Sequence, residues 1–165
     1  MQLVVIRHAI AEDQDAFAES GLPDAERPLT KRGRKLMKRV AKGLRREVKA
    51  IDLLAASPLV RAAQTAAIVA KEYGGLVVET VPALEPDRAP SELAAWLRAQ
   101  REARVVAVVG HEPHLGMLVT WLISGLRDSH VKIEKGGVCL LDLERAAGAR
   151  CATLRWALMP GMLER

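Results

Sequence analysis

Leu3-Val4-Val5-Ile6-Arg7-His8 sets four consecutive apolar residues, three of them β-branched, directly before a guanidinium and an imidazole. A run this short and this uniformly apolar reads as a strand buried on both faces of a parallel sheet, since a strand with one solvated face would alternate apolar and polar residues. Charge at its carboxyl end places Arg7 and His8 on the edge where open α/β sheets bind ligands.

Outward from that strand, apolar runs and helical periods alternate. Residues 9–29 carry Asp13, Asp15, Gly21, Pro23 and Pro28 without a steady period and predict a long loop holding at most a short helical turn. Thr30 predicts a cap on a helix reaching about residue 49, with Leu36, Val40, Leu44 and Val48 in one apolar stripe. Residues 51–56 read as a second strand. Ser57-Pro58 then reads as an N-cap with proline at the first helical position, opening an alanine-rich helix to about residue 73 that Gly74-Gly75 stops. A third strand over 76–81, a turn-rich stretch over 82–90 and a helix from about residue 91 follow, then a fourth strand over 105–109. Beyond the turn Gly110-His111-Glu112-Pro113 the pattern gives an apolar helix over 114–124 and two strands near 137–143 and 151–157. The alternation predicts a single α/β domain over residues 1–165, a largely parallel sheet flanked by helices and joined by right-handed crossovers.

Bulk properties narrow the class. With 165 residues, half of them apolar and 27% charged, the chain has the composition of an ordinary globular domain and can bury a sizeable core. Cys139 and Cys151 lack metal-type spacing and read as buried free thiols. No apolar run approaches the roughly 20 residues that a spanning helix needs. The amino terminus carries neither a charged leader nor a small-residue cleavage site, so the expected location is the cytoplasm, without membrane association. The net charge of +5 is concentrated between Arg27 and Lys49, which suits either a solvated helix face or an acidic partner. Nucleic acid fits poorly, because no aromatic residue is interleaved with the basic run as a stacking platform.

Three predicted parallel strands end in polar chemistry: Arg7-His8 after the first, Ser57 and the helix bearing Arg61 after the second, and His111 after the fourth. Two guanidinium groups and two imidazoles make a pocket suited to a phosphoryl group, whose oxygens arginine bonds in a bidentate manner. A phosphate near the start of the Arg61 helix also gains from the helix dipole. His8, His111 and His114 have no carboxylate or cysteine at a ligand spacing, and adjacent arginines repel a divalent cation. Neither a metal nor any other cofactor is expected.

At these residues the sequence resembles the histidine phosphatase superfamily. Arg7-His8-Ala9 is similar to its opening Arg-His-Gly signature, with alanine at the glycine position. Ser57-Pro58-Leu59-Val60-Arg61-Ala62-Ala63-Gln64-Thr65-Ala66 resembles its second block. Leu29-Thr30-Lys31-Arg32-Gly33 and Gly110-His111-Glu112-Pro113 resemble two further segments, in the family's order. The short 82–104 stretch, where larger members carry a substrate-covering insertion, is most similar to SixA-type phosphohistidine phosphatases and implies no large cap.

The resemblance implies that His8 attacks phosphorus to form a covalent phosphohistidine that water hydrolyses, while Arg7, Arg61 and His111 hold the phosphoryl oxygens. A partner must fix the His8 tautomer, and the sequence does not identify it. For the carboxylic acid that many members use to protonate a leaving alkoxide, Glu85 is the positional candidate, ahead of Asp87 and Glu112, although Glu85 reads equally well as a solvated loop residue. His114 reads as a helix-start residue. Ala9 matters if the glycine position requires positive φ. The function implied is dephosphorylation of a phosphohistidine protein; a small-molecule phosphomonoesterase and a non-catalytic phosphate-binding module are the alternatives.

Overall fold

The computed structural model describes residues 1–164. In it the opening apolar run becomes β1 (Gln2–Arg7), which pairs in parallel with β4 (Val105–Gly110) and antiparallel with β5 (Val138–Leu143). β2 (Leu53–Ala56) lies beyond β4, β3 (Val78–Thr80) forms one edge, and β6 (Ala152–Leu158) forms the other, giving the order β3-β2-β4-β1-β5-β6. The first four strands and β6 run in one direction, and β5, between β1 and β6, runs opposite to them. The sheet is therefore parallel through its ligand-binding half and mixed as a whole.

Strand alternation divides the core between the two sheet faces. Val4, Ile6, Leu54, Ala56, Ala107 and Val109 face α2 (Lys31–Glu47) and α3 (Val60–Glu72). Leu3, Val5, Ala55, Val106 and Val108 face α4 (Pro90–Ala99) and α5 (His114–Ser124). Both faces are covered, which is why β1 carries no polar position between Gln2 and Arg7.

Thr30 caps α2 by accepting the Gly33 N–H at 2.9 Å. Met37, Val40, Ala41 and Leu44 bury the helix's apolar side, and its lysines and arginines take the outer one. The 9–29 stretch holds α1 (Gln14–Ala18) and a 3-10 turn at Asp24–Glu26. Between β3 and β4 the chain makes only a 3-10 turn at Pro82–Leu84 and α4, so no large insertion lies between these strands. Cys139 and Cys151 are buried free thiols. No helix among the described residues is long and apolar enough to cross a membrane.

Several boundaries differ from the sequence reading. β2 starts at Leu53 because Asp52 accepts the N–H groups of Arg104 and Val105, both at 2.8 Å, and works as a clip beneath β4. α3 starts at Val60 with Leu59 at its cap position and no side-chain cap; Ser57 is not the N-cap, because its hydroxyl is engaged by His111. β3 is confined to residues 78–80 after the paired left-handed glycines Gly74 and Gly75. A short α6 (Pro160–Leu163), absent from the sequence reading, packs on α2 so closely that a Cβ on Gly43 would lie 1.8 Å from the Leu163 carbonyl oxygen.

Candidate active site

β2, β4 and β1 are neighbours, so their carboxyl ends deliver Ser57, His111 and Arg7-His8 to one stretch of sheet edge. Arg61, the second residue of α3, arrives from the same side. Arg7, His8, Arg61 and His111 line a common cavity of about 650 Å³.

His8 is 6% exposed, and its Nδ1 lies 2.7 Å from the carbonyl oxygen of Ala9. A carbonyl only accepts, so Nδ1 carries the hydrogen and Nε2 keeps its lone pair. Ala9 is itself anchored: its N–H donates to Thr65 Oγ1 at 3.1 Å, and that hydroxyl donates to the Arg61 carbonyl at 2.7 Å. The left-handed conformation that would demand glycine is absent from Ala9, since Arg150 is the one non-glycine residue with positive φ among the described residues. Burial pushes the His8 pKa down to about 4; the neighbouring Arg61, Arg7 and Lys135 add to the drop and the Ala9 bond opposes it. At neutral pH His8 is an uncharged imidazole with a fixed tautomer.

The His111 ring lies 5.1 Å from that of His8, centroid to centroid. Its Nε2 is 2.9 Å from Ser57 Oγ, which also accepts the Leu59 N–H at 3.4 Å. With the Ser57 hydroxyl donating to His111 Nε2, the His111 hydrogen is assigned to Nδ1. That Nδ1 is buried without a partner. Burial, reinforced by His8 and Arg61, pushes the His111 pKa down to about 3, leaving a neutral donor.

Arg7 Nη1 donates to the Ile133 carbonyl at 2.7 Å, and the Ile133 N–H is held by Glu112 Oε1 at 2.8 Å. Arg61 Nη1 donates to the Asp24 carbonyl at 2.8 Å, and its Nη2 lies 3.0 Å from Asp24 Oδ2. Asp24 is held in turn by Arg27 Nε at 2.7 Å, a bond that keeps its carboxyl below the usual carboxylate range. Burial lowers both Arg7 and Arg61 from the ordinary arginine value, yet a guanidinium stays charged in proteins. The Nε atoms of both are buried with no partner. With His111 Nδ1, three nitrogens of cavity-lining side chains lack a partner among the described residues, donors of the kind that equatorial phosphoryl oxygens require.

The carboxylate expectation needs correction. Glu85 does not line this cavity: it ends the 3-10 turn, and its carboxylate lies 3.8 Å from Arg88. Two residues on, Asp87 does line it. Glu112 also lines it, but one of its oxygens is committed to Ile133. His114 begins α5 and is buried with neither ring nitrogen bonded. The sequence reading missed the Asp24–Arg27 pair that clamps Arg61 and the donor role of Ser57; the spacing Asp24-x-x-Arg27 ahead of Pro28-Leu29-Thr30 was the available signal for the clamp. No group of three or more His, Cys, Asp or Glu suited to hold a metal occurs among the described residues.

Residues 3–85 match the family model of the histidine phosphatase superfamily (branch 1). An uncharacterized protein of Picosynechococcus is 34% identical over 141 residues, covering 84% of this chain and 82% of its own. Among solved structures, the protein histidine phosphatase SixA complexed with tungstate superposes with a TM-score of 0.83 at 25% identity, over 99% of each chain. The α-ribazole phosphatase of Shigella flexneri gives 0.74 at 22% identity, over 94% of this chain and 95% of its own.

Proposed function

The chain belongs to the histidine phosphatase superfamily, and within it we propose that the protein is a metal-independent phosphohistidine phosphatase of the SixA type, with His8 as nucleophile. The observation that carries the reading is the pairing of a neutral His8, its Nε2 lone pair free, with buried arginine and histidine donors that lack acceptors.

In this mechanism the phosphoryl group enters with its oxygens on Arg7 Nε, Arg61 Nε and His111 Nδ1. The Nε2 lone pair of His8 forms the new bond to phosphorus as the bond to the leaving group breaks, and that electron pair departs with the leaving group. A phosphohistidine whose other ring nitrogen is protonated leaves as neutral imidazole and needs no acid from the enzyme. Water then attacks the phosphorus on His8, releasing orthophosphate and restoring the imidazole. The Ala9 carbonyl stabilises the positive charge that His8 acquires in each half, as a hydrogen-bond acceptor on Nδ1. The lack of a large insertion between β3 and β4 and the displacement of Glu85 from the cavity wall favour a protein-borne phosphoramidate over an ester, whose alkoxide has to be protonated on leaving. Asp87, which lines the cavity with Glu12, Asp13, Asp24 and Glu112, is the candidate acid for ester hydrolysis, the second reading. A cytoplasmic location is consistent with such a substrate.

The test compares a histidine-phosphorylated protein with small phosphate esters as substrates for wild type and His8→Ala, while trapping an acid-labile phosphoenzyme. The expected result is a phosphoenzyme and phosphohistidine turnover in wild type alone. Turnover surviving in His8→Ala removes His8 as nucleophile; efficient ester hydrolysis abolished by Asp87→Asn favours the phosphomonoesterase; anion binding with no hydrolysis makes the protein a binding module.

A further inference from the structure

A second cavity of about 280 Å³ adjoins the first, and Asp87 lines both. Its apolar floor is Met117 and Trp121, one turn apart on the same side of α5, and its rim includes Arg88 and Arg127. We propose that this cavity is a recognition subsite for the polypeptide that flanks the phosphorylated residue, taking an apolar side chain on Met117 and Trp121 and an adjacent carboxylate between Arg88 and Arg127. The inference rests on the protein-phosphatase reading above.

Size, charge and continuity favour that occupant. At about 280 Å³ the cavity lies at the lower edge of the roughly 300–1,000 Å³ typical of small-molecule sites, which suits one or two side chains better than a cofactor. The half-buried Trp121 packs against the core, so its indole is a rigid wall, and its N–H has no partner among the described residues. Arg127 likewise makes no hydrogen bond or ion pair among the described residues. Among the described residues Arg88 has only long, exposed pairings, 3.8 Å to Glu85 and 3.7 Å to Glu92, which an incoming carboxylate displaces at little cost. The shared Asp87 makes the second cavity an extension of the phosphate pocket. A substrate seated at His8 therefore lays its neighbouring residues along α5.

Peptides phosphorylated on histidine and flanked by either Leu-Glu or Gly-Ser separate the possibilities, with free phosphohistidine as the unflanked substrate. For wild type, kcat/KM is expected to be about 10-fold or more higher on the Leu-Glu peptide than on the Gly-Ser peptide, the scale of one well-buried apolar side chain plus a charge pair. Arg127→Glu, at an exposed position, is expected to erase most of that preference while leaving free phosphohistidine turnover as it was, and a Leu-Lys peptide is expected to restore part of the loss on that variant. Equal kcat/KM for the two peptides in wild type, or a parallel loss on peptide and free phosphohistidine in Arg127→Glu, overturns the subsite and leaves the phosphatase reading standing. Failure of wild type to hydrolyse any of these substrates overturns both.

Discussion

Lowering the pH titrates the unfolded chain at sites where the folded chain refuses protons. The ordinary histidine value is 6.5, whereas burial pushes His8 to about 4 and His111 to about 3. A folded pKa below the unfolded one means that no stability is lost above pH 6.5; the loss begins as pH falls through 6.5 and stops growing only below the folded values. In the window between, each group removes about 1.4 kcal/mol per pH unit, so the pair removes about 3. Between pH 6.5 and 4.5 the sum is about 5 kcal/mol, comparable with the whole stability of a marginal domain. Urea unfolding of wild type and of His8→Asn/His111→Asn at half-unit pH steps isolates that share, because the carboxylates are common to both. Wild type is expected to lose about 5 kcal/mol more than the double variant across the window. Parallel curves would refute the claim that the two imidazoles are held neutral by burial.

Four further outcomes follow from packing, hydrogen bonding and burial. A Cβ on Gly33 would lie 2.0 Å from the Ile10 carbonyl oxygen, a backbone group already bound to the Thr30 N–H, so Gly33→Ala is expected to cost roughly 3 kcal/mol in urea unfolding or to prevent folding. Gly43→Ala meets Leu163 of α6 instead, and limited proteolysis should show α6 released while the rest of the fold persists. Ser57→Ala removes the donor that keeps the His111 hydrogen on Nδ1; kcat/KM should fall about 10- to 100-fold, with Ser57→Thr recovering much of it. Cys139, buried and with its thiol pushed up to about 11, should resist iodoacetamide at pH 8 until the chain is unfolded.

The sequence makes some of this legible because local periodicity dictates it. The bounds of α5 and the Thr30 cap of α2 fall where the pattern predicts, since capping and amphipathicity act within a turn or two. The convergence of Arg7, His8, Arg61 and His111 is legible too, because strand ends in a parallel sheet share an edge. What escapes is set by distant or backbone partners. Ser57-Pro58 is a sound N-cap signal, yet a histidine 54 residues away claims the hydroxyl. The acceptor that fixes His8 is a main-chain carbonyl, which no residue letter encodes. Glu85 and Asp87 differ in reach only through the 3-10 turn before them, and the clamp on Arg61 lies in a loop with no period to read.

Two guanidinium Nε atoms and one imidazole Nδ1 of the cavity-lining residues have no acceptor among the described residues. Orthophosphate, the product of the proposed reaction, presents to those groups the same oxygens as the phosphoryl group of the substrate. Orthophosphate is accordingly expected to inhibit competitively and to raise the thermal stability of the fold, by about 2.7 kcal/mol at a hundred times its dissociation constant.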